Sequence, residues 1–188
     1  MIKAIITDFD GTLVDTFEAN FYAYQKAFRQ VANIELDKNF YFKNFGLRID
    51  NICKLLGIDD KSILQQIKNA KAEYYPMFFE YIYLNKDLYN TFLYYKKQGL
   101  KIALATTAAH KNLYNVLNYL NIVELFDLII CGDDVKHGKP DPEVYNVSMN
   151  KLNVSSDEII IFEDSVAGIE AANCVTNNII KIDINKDE

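Results

Sequence analysis

Tryptophan is absent from this sequence, and cysteine is scarce, with three residues among 188. Cys53, Cys131 and Cys174 lie far apart, and no pair has the close spacing of a zinc site or of a disulfide framework. This pattern excludes a disulfide-stapled miniprotein and favours free thiols in a reducing compartment.

Long apolar runs are absent as well. The N-terminal apolar run is too short for a signal peptide and meets the acidic Asp8 at once. No stretch approaches the roughly 20 residues that a membrane-spanning helix needs. We therefore expect a cytoplasmic protein without a membrane span.

Basic residues are fewer than acidic ones, 20 against 26, which gives a net charge of −6. An acidic chain without a basic patch is a poor candidate for binding nucleic acid or an anionic membrane. Apolar residues make up 50% of the chain and charged residues 24%, an ordinary balance for a globular protein that excludes a disordered chain.

Five short apolar runs rich in β-branched residues predict the buried strands of a parallel sheet. They cover residues 2–8, 101–106, 128–131, 159–163 and 179–182. Helical patterns stand between the last four runs, with the spacing of β-α-β crossovers; they cover residues 112–120, 143–152 and 166–172. The sequence therefore predicts an α/β fold with a doubly wound, Rossmann-like, five-stranded parallel sheet.

About ninety residues separate the first two predicted strands, far more than one crossover helix needs. Four helical patterns fill this gap, over residues 17–31, 49–56, 60–83 and 87–98. Pro76 predicts a break in the third pattern, and the fourth is the expected crossover helix. We therefore predict a core of residues 1–14 and 85–188 and an inserted helical cap of residues 15–84.

Acidic residues follow two of the predicted strands at their carboxyl ends, where open parallel sheets bind ligands. Asp8 and Asp10 precede Gly11, which frees the chain to turn, and Glu163 and Asp164 follow the fourth strand. A turn accounts for one acid at a strand end but not for two, because buried like charges are costly without a cation or a proton between them. Carboxylate oxygens favour Mg²⁺, so the sequence predicts a magnesium site.

Two other strand ends carry weaker signals. Thr106 and Thr107 follow the second strand, where they could bind an anion near a helix N-terminus or simply cap that helix. Lys139 stands between Gly138 and Pro140, either as a solvated lysine in a stiff turn or as a cation held beside a phosphate. The residues alone leave both alternatives open.

Taken in order, these residues resemble the four motifs of the haloacid dehalogenase superfamily. The motifs are the segment 8–12, Thr106, Lys139 and the pair Glu163-Asp164. Residues 138–142 and 162–172 are similar to the phosphoglycolate phosphatase and β-phosphoglucomutase branch. The motifs extend from Asp8 to Ala172, so the resemblance covers nearly the whole chain. Each motif alone is weak, but all four on matching strand ends are specific.

The resemblance implies a role for each motif residue. Asp8 would be the nucleophile that forms an aspartyl-phosphate, and Asp10 would be the general acid and then the general base. Lys139 would spread positive charge over the nucleophile and the phosphate.

The same resemblance implies the groups that hold the metal and the phosphate. Mg²⁺ would be held by the Asp8 carboxylate, the Asp10 carbonyl and Asp164, with Glu163 in the outer shell or as a further ligand. The phosphoryl oxygens would be held by Gly11, Thr106 and the backbone of Thr107. The inserted cap would close over the site and exclude water.

Several functions share this fold. A dehalogenase proper lacks the second acid, so Asp10 argues against that branch. A β-phosphoglucomutase carries a cap histidine four residues after the equivalent of Thr16, where this chain has Asn20. A phosphonate-cleaving relative needs a buried cap lysine, and nothing marks Lys26 or Lys43 as buried.

The leading hypothesis is a Mg²⁺-dependent phosphatase of a small phosphorylated metabolite. The alternatives are a sugar phosphomutase and a non-catalytic regulatory relative, although no motif residue is lost. The sequence leaves the substrate undecided, as it does the choice between a monomer and a homodimer.

Some cap and loop residues have simpler interpretations. Asp15 and Thr16 are typical of a helix start. Arg48 could reach a distal anionic group of the substrate or be a solvated helix residue. His110 and His137 show no partners for a metal or catalytic role.

Overall fold

A computed structural model describes residues 1–183. The main sheet has five strands: β1 (Ala4–Thr7), β4 (Lys101–Ala105), β5 (Leu128–Ile130), β6 (Ile159–Glu163) and β7 (Ile179–Lys181). All of them are parallel, and they lie in the order β5-β4-β1-β6-β7. The predicted α/β fold with a five-stranded parallel sheet is therefore confirmed. Residues 184–188 lie outside the described part of the chain.

Strand β1 lies at the centre of the sheet because all four of its residues can be buried. Ile5 packs on one face with Ile102 and Leu104, while Ala4 and Ile6 belong to the apolar cluster of the other face. This alternation on a strand buried from both sides produces a continuous apolar run rather than a polar-apolar repeat.

Four helices cover the two faces. Helices α5 (Lys86–Lys97) and α6 (His110–Leu120) contribute Phe92, Leu113 and Leu117 to one cluster. The opposite cluster receives side chains from α7 (Glu143–Leu152) and α8 (Val166–Asn173). Each predicted crossover helix is present with ends within two residues of the prediction. Ser165 caps the N-terminus of α8 by accepting a hydrogen bond from the Gly168 N–H at 3.0 Å.

The long segment after β1 is helical, and we call residues 17–81 the helical insertion. It contains α1 (Phe17–Ala32), α2 (Lys38–Lys43), α3 (Ile49–Leu55), α4 (Lys61–Tyr74) and a 3₁₀ helix (Tyr75–Tyr81). Phe21, Phe28 and Ile67 form part of an apolar cluster within this segment. The packing of these apolar side chains stabilises the insertion more than the propensity of its short helices does.

The third predicted pattern, residues 60–83, is broken near Pro76 as expected: it divides into α4 and the 3₁₀ helix, whose first residues include Pro76. Its helical structure ends at Tyr81, two residues before the prediction. Helix α2 and the antiparallel pair β2 (Val14–Asp15) and β3 (Tyr83–Leu84) were not predicted. Strands of two residues are too short to show a period in the sequence.

No helix within residues 1–183 is long and apolar enough to cross a membrane.

The packing of α5 on the sheet yields a stability prediction. Phe92 is fully buried, and its ring meets the Phe162 ring edge to face at 5.0 Å between centroids. We expect Phe92→Ala to lower the free energy of unfolding by about 3–4 kcal/mol, because the substitution leaves a cavity. Urea denaturation measures this change. Tyr94→Ala, at an exposed position on the same helix, should cost about 0.5 kcal/mol or less; equal costs would contradict the packing.

Candidate active site

The first acid lies where β1 ends, next to the end of β6. The Asp8 N–H donates to the Phe162 carbonyl at 2.9 Å, so the two strands stay paired as far as the acids. The chain then turns at Gly11, which has a φ of +92°. A Cβ there would lie 2.2 Å from Oδ2 of Asp164, so only glycine lets the turn approach that carboxylate. Thr12 Oγ1 donates to Asp164 Oδ1 at 2.6 Å.

Lys139 connects the acids of the two strands. Its Nζ lies 2.6 Å from Asp8 Oδ1 and 2.6 Å from Glu163 Oε2, and its side chain is 2% exposed. The interpretation of Lys139 as a solvated lysine is therefore wrong. The loop before α7 places a buried cation between two buried carboxylates.

The charges of these three groups depend on one another. Burial lowers the pKa of Lys139, but the charges of Asp8 and Glu163 outweigh it and hold that pKa well above its usual value. Burial and the charge of Glu163 raise the pKa of Asp8. Burial also opposes ionisation of Glu163, but Lys139 and the hydrogen-bond donors around this carboxyl keep its pKa below the usual value. Lys139 and Glu163 therefore remain a charged pair.

The Glu163 carboxylate accepts five hydrogen bonds. Oε2 accepts from Lys139 Nζ and from the Tyr145 hydroxyl, each at 2.6 Å. Oε1 accepts from the Asp164 N–H, the Ser165 N–H and the Ser165 hydroxyl. A Cβ at Gly168 would lie 2.0 Å from Glu163 Cδ, so α8 presses its backbone against this carboxyl group. Glu163 is therefore held rigidly.

Tyr145 was missed by the sequence analysis. It is fully buried on α7, among the apolar side chains of the second cluster. Its position on an apolar helix face indicated only a core residue. Its hydroxyl partner comes from β6, 18 residues away, which no local pattern shows.

Three carboxylates form a group that is able to bind a metal ion. Asp8, Glu163 and Asp164 each offer an oxygen, and these oxygens lie within 4.8 Å of one another. Burial raises the pKa of Asp164 to about 6. A set of carboxylate oxygens suits a hard cation such as Mg²⁺, so these residues fit the predicted metal.

Asp10 points away from this group, toward helix α1. Its Oδ1 accepts hydrogen bonds from the Thr16 hydroxyl and from Asn20 Nδ2, the latter at 3.3 Å. Burial raises the pKa of Asp10, although the Thr16 hydrogen bond opposes this. Helix α1 begins directly after Thr16, as the sequence predicts, and Asp15 Oδ1 accepts the Phe17 N–H at 3.1 Å. The Thr16 hydroxyl makes no cap hydrogen bond. It orients Asp10 instead.

The end of β4 contributes the two threonines. Thr106 is buried, and its Oγ1 accepts the Ala108 N–H at 3.1 Å. The Thr107 hydroxyl donates to the Gly46 carbonyl of the helical insertion at 3.2 Å. Both threonines line the same cavity as Asp8.

Arg48 of the insertion is held by the core. Its guanidinium donates to the backbone carbonyls of Gly132, Val135 and Lys136. The interpretation of Arg48 as a solvated helix residue is therefore wrong, while its contact with a substrate stays a prediction. Together with the Thr107–Gly46 hydrogen bond, these contacts hold the insertion against the carboxyl edge of the sheet.

A cavity of about 450 Å³ lies between the sheet edge and the insertion. This volume falls within the usual range for small-molecule sites. Asp8, Asp10 and Lys139 line it from the sheet, and Asn20 and Lys71 line it from the insertion. The cavity therefore brings the strand-end residues and the helical insertion to one place.

Lys71 is a buried cation that the sequence analysis overlooked. It is 3% exposed, and its Nζ lies 3.3 Å from the centroid of the Tyr75 ring. Burial lowers the pKa of Lys71 to about 7, although Asp10 opposes this. The sequence held a signal, because Lys71 follows Ile67 by four residues and so lies on the apolar face of α4. The sequence analysis named Lys26 and Lys43 instead, and both of them are exposed.

The burial of Lys71 predicts a pH-dependent stability. An unfolded lysine keeps its proton to a pH near 10.4. Between pH 7 and pH 10 the unfolded chain therefore binds more protons at this position, and stability rises with pH. We expect Lys71→Met to raise the free energy of unfolding by about 4–5 kcal/mol at pH 6, and the gain to shrink toward pH 10.

Chemical denaturation at several pH values checks this expectation. Lys54→Met replaces an exposed lysine of the insertion and should change stability by about 0.5 kcal/mol or less. A gain for Lys71→Met that is equal at pH 6 and pH 10 would contradict the buried environment of Lys71.

Known proteins are similar to this chain in sequence and in fold. A phosphorylated carbohydrates phosphatase from Thermotoga maritima is 32% identical over 179 residues, covering 91% of this chain and 80% of the relative. A β-phosphoglucomutase from Bacillus subtilis is 27% identical, with 90% of this chain and 78% of the relative covered. The crystal structure of a β-phosphoglucomutase from Clostridium difficile is 27% identical, with a TM-score of 0.83 and coverage of 96% of this chain and 84% of that one.

The model of one protein family spans most of the chain. It describes haloacid dehalogenase-like hydrolases and matches residues 5–181, a range that contains every strand-end residue of the site. The resemblance of the four motifs is thus confirmed at the level of the family. The protein belongs to the haloacid dehalogenase-like hydrolases.

Proposed function

We propose that this protein is a Mg²⁺-dependent phosphatase that hydrolyses a small phosphomonoester through an aspartyl-phosphate on Asp8. The observation that carries the proposal is the placement of two acids with different surroundings at one cavity. Asp8 is held by the buried cation of Lys139, and Asp10 is held separately by Thr16 and Asn20. A nucleophile and a proton carrier need such separate environments.

In the first step, an Asp8 carboxylate oxygen forms a bond to phosphorus while the bond from phosphorus to the leaving oxygen breaks. Lys139 Nζ, bound to Asp8 Oδ1, offsets the repulsion between the carboxylate and the phosphate. Asp10 gives its proton to the leaving oxygen. The raised pKa of Asp10 favours this role, because the carboxyl group then keeps a proton closer to neutral pH.

In the second step, Asp10 takes a proton from a water molecule whose oxygen attacks phosphorus. The bond from phosphorus to Asp8 breaks, which releases phosphate and restores the carboxylate. The hydrogen bonds from Thr16 and Asn20 keep Asp10 in one orientation through both steps.

The metal would be held by the Asp8 carboxylate, the Asp10 backbone carbonyl and Asp164. When bound, Mg²⁺ would supply positive charge that offsets the repulsion between the carboxylates and the phosphate dianion. We place Glu163 outside the direct ligands, because five donors already occupy its carboxylate. Its role is to position Lys139.

The remaining groups would bind the substrate. Gly11, Thr106 and the backbone of Thr107 would hold the phosphoryl oxygens. Residues 15–84 would form a cap over a core of residues 1–14 and 85–188, and the cap would exclude water from the cavity. The substrate would be a small phosphorylated metabolite of the cytoplasm, and the name of the Thermotoga maritima relative favours a phosphorylated carbohydrate.

A sugar phosphomutase is the second candidate, favoured by the β-phosphoglucomutases among the similar proteins. A mutase of this kind is expected to have a cap histidine four residues after Thr16, and this chain has Asn20 at that position, hydrogen-bonded to Asp10. The absence of the histidine argues for the phosphatase. Glucose 1-phosphate distinguishes the two. Conversion to glucose 6-phosphate faster than release of phosphate would establish the mutase.

The proposed nucleophile and metal predict a simple pattern of activity. The protein should hydrolyse p-nitrophenyl phosphate with Mg²⁺ and lose this activity in excess EDTA. Asp8→Asn should lower kcat by about 10³-fold or more, because the amide is not a nucleophile. Asp59→Asn, at an exposed position in the insertion, serves as the matched control with unchanged turnover. Full turnover in EDTA or in Asp8→Asn would overturn the mechanism.

The two roles of Asp10 predict a trapped intermediate. Because p-nitrophenolate leaves without a proton, Asp10→Asn should still form the aspartyl-phosphate but hydrolyse it slowly. Steady-state turnover should fall by about 10²–10⁴-fold, while rapid quenching and mass spectrometry show phosphorylated protein and a burst of nitrophenolate. Asp8→Asn should show neither. Wild-type turnover in Asp10→Asn would remove Asp10 from the mechanism.

A further inference from the structure

Asn112 has a buried acceptor without a donor. Within residues 1–183, its Oδ1 is the one buried side-chain nitrogen or oxygen that lacks a hydrogen-bond partner. An unpaired buried acceptor costs about 1–3 kcal/mol, so such atoms are rare and call for a partner from outside the protein. Asn112 lines the cavity that also contains Asp8 and Asp10.

The surroundings of Asn112 make an amide at this position unexpected. It lies in the first turn of α6, and its neighbours Leu113 and Val116 are buried and line the same cavity. Asn112 as a whole is only half-buried, but its side-chain oxygen is buried. The amide therefore places an unpaired acceptor next to two apolar side chains of the cavity wall.

The chemistry of an acceptor limits what it is able to bind. The Asn112 oxygen needs a donor, which a hydroxyl group supplies and a carboxylate does not. Lys71 lines the same cavity from the insertion, and its Nζ makes no described hydrogen bond, so it offers donors only. A hydroxyl group is able to pair with either residue, because it donates a hydrogen bond to the Asn112 oxygen and accepts one from the Lys71 ammonium.

We propose that Asn112 is a specificity-determining residue that accepts a hydrogen bond from a hydroxyl group on the leaving group of the substrate. This inference rests on the proposed phosphatase activity. The site then selects phosphomonoesters of polyhydroxy compounds.

A pair of substrates that differ in hydroxyl groups tests the inference. Glycerol 3-phosphate and propyl phosphate have the same carbon chain, and only the first has free hydroxyl groups. Wild-type protein should show a kcat/KM for glycerol 3-phosphate that exceeds that for propyl phosphate by about 10-fold or more.

Removal of the acceptor should abolish the discrimination. In Asn112→Leu and Asn112→Ala, the ratio of the two kcat/KM values should fall to within about 2-fold of unity. The ratio cancels any loss of kcat/KM that affects both substrates equally. If Asn112→Leu does not fold, the ratio is measured in Asn112→Ala alone. Asn118→Leu, at an exposed position on the same helix, is the matched control and should keep the wild-type ratio.

A second readout separates recognition from a structural role. If Asn112 serves the substrate rather than the fold, Asn112→Leu removes an unpaired buried acceptor, and Tm should rise by about 2 °C or more. An unchanged substrate ratio, or a large fall of Tm in both Asn112→Leu and Asn112→Ala, would overturn the inference.

The failure of the inference differs from the failure of the proposed function. If wild-type protein releases no phosphate from p-nitrophenyl phosphate or from either alkyl phosphate, the phosphatase proposal fails and the inference fails with it. If it hydrolyses all three and the Asn112 variants keep the wild-type ratio, the phosphatase proposal stands and the inference alone is wrong.

Discussion

The ammonium group of Lys139 lies between two buried carboxylates, and the arrangement of the site depends on this contact. Asp8 and Glu163 end two neighbouring strands, so the parallel sheet forces their charges together. Without a cation, two buried like charges are costly, and one of them would have to take a proton. The loop before α7 supplies the cation and ties its own position to both strands.

The rigidity of this contact comes from the packing of the sheet. Tyr145 reaches Glu163 from α7, and the missing side chain of Gly168 lets α8 approach the same carboxyl group. Both helices belong to the crossovers that make the sheet parallel. Glu163 therefore contributes both to the packing of the helices on the sheet and to the position of Lys139. It does not line the cavity.

The two sides of the cavity differ in how well their polar groups are satisfied. At the sheet edge, Asp8, Asp10 and Lys139 have hydrogen-bond partners within the protein. Farther out, the Asn112 oxygen has none among the described residues, and the Lys71 ammonium lies against the Tyr75 ring. Charged groups that are held in place next to an unpaired acceptor are the arrangement expected of a cavity that leaves its last contacts to a ligand.

The sequence by itself determined the sheet, the crossover helices and the strand-end acids, because apolar periods and motif residues are local features. Tertiary structure decided the rest. Asp8, one partner of Lys139, is 131 residues away from it in the sequence. The packing of the insertion and the helices decides the Asp10–Thr16 hydrogen bond, the burial of Lys71 and the unpaired Asn112 oxygen. A sequence shows which side chains are able to donate, accept or carry charge, but only the fold determines which of them remain without a partner.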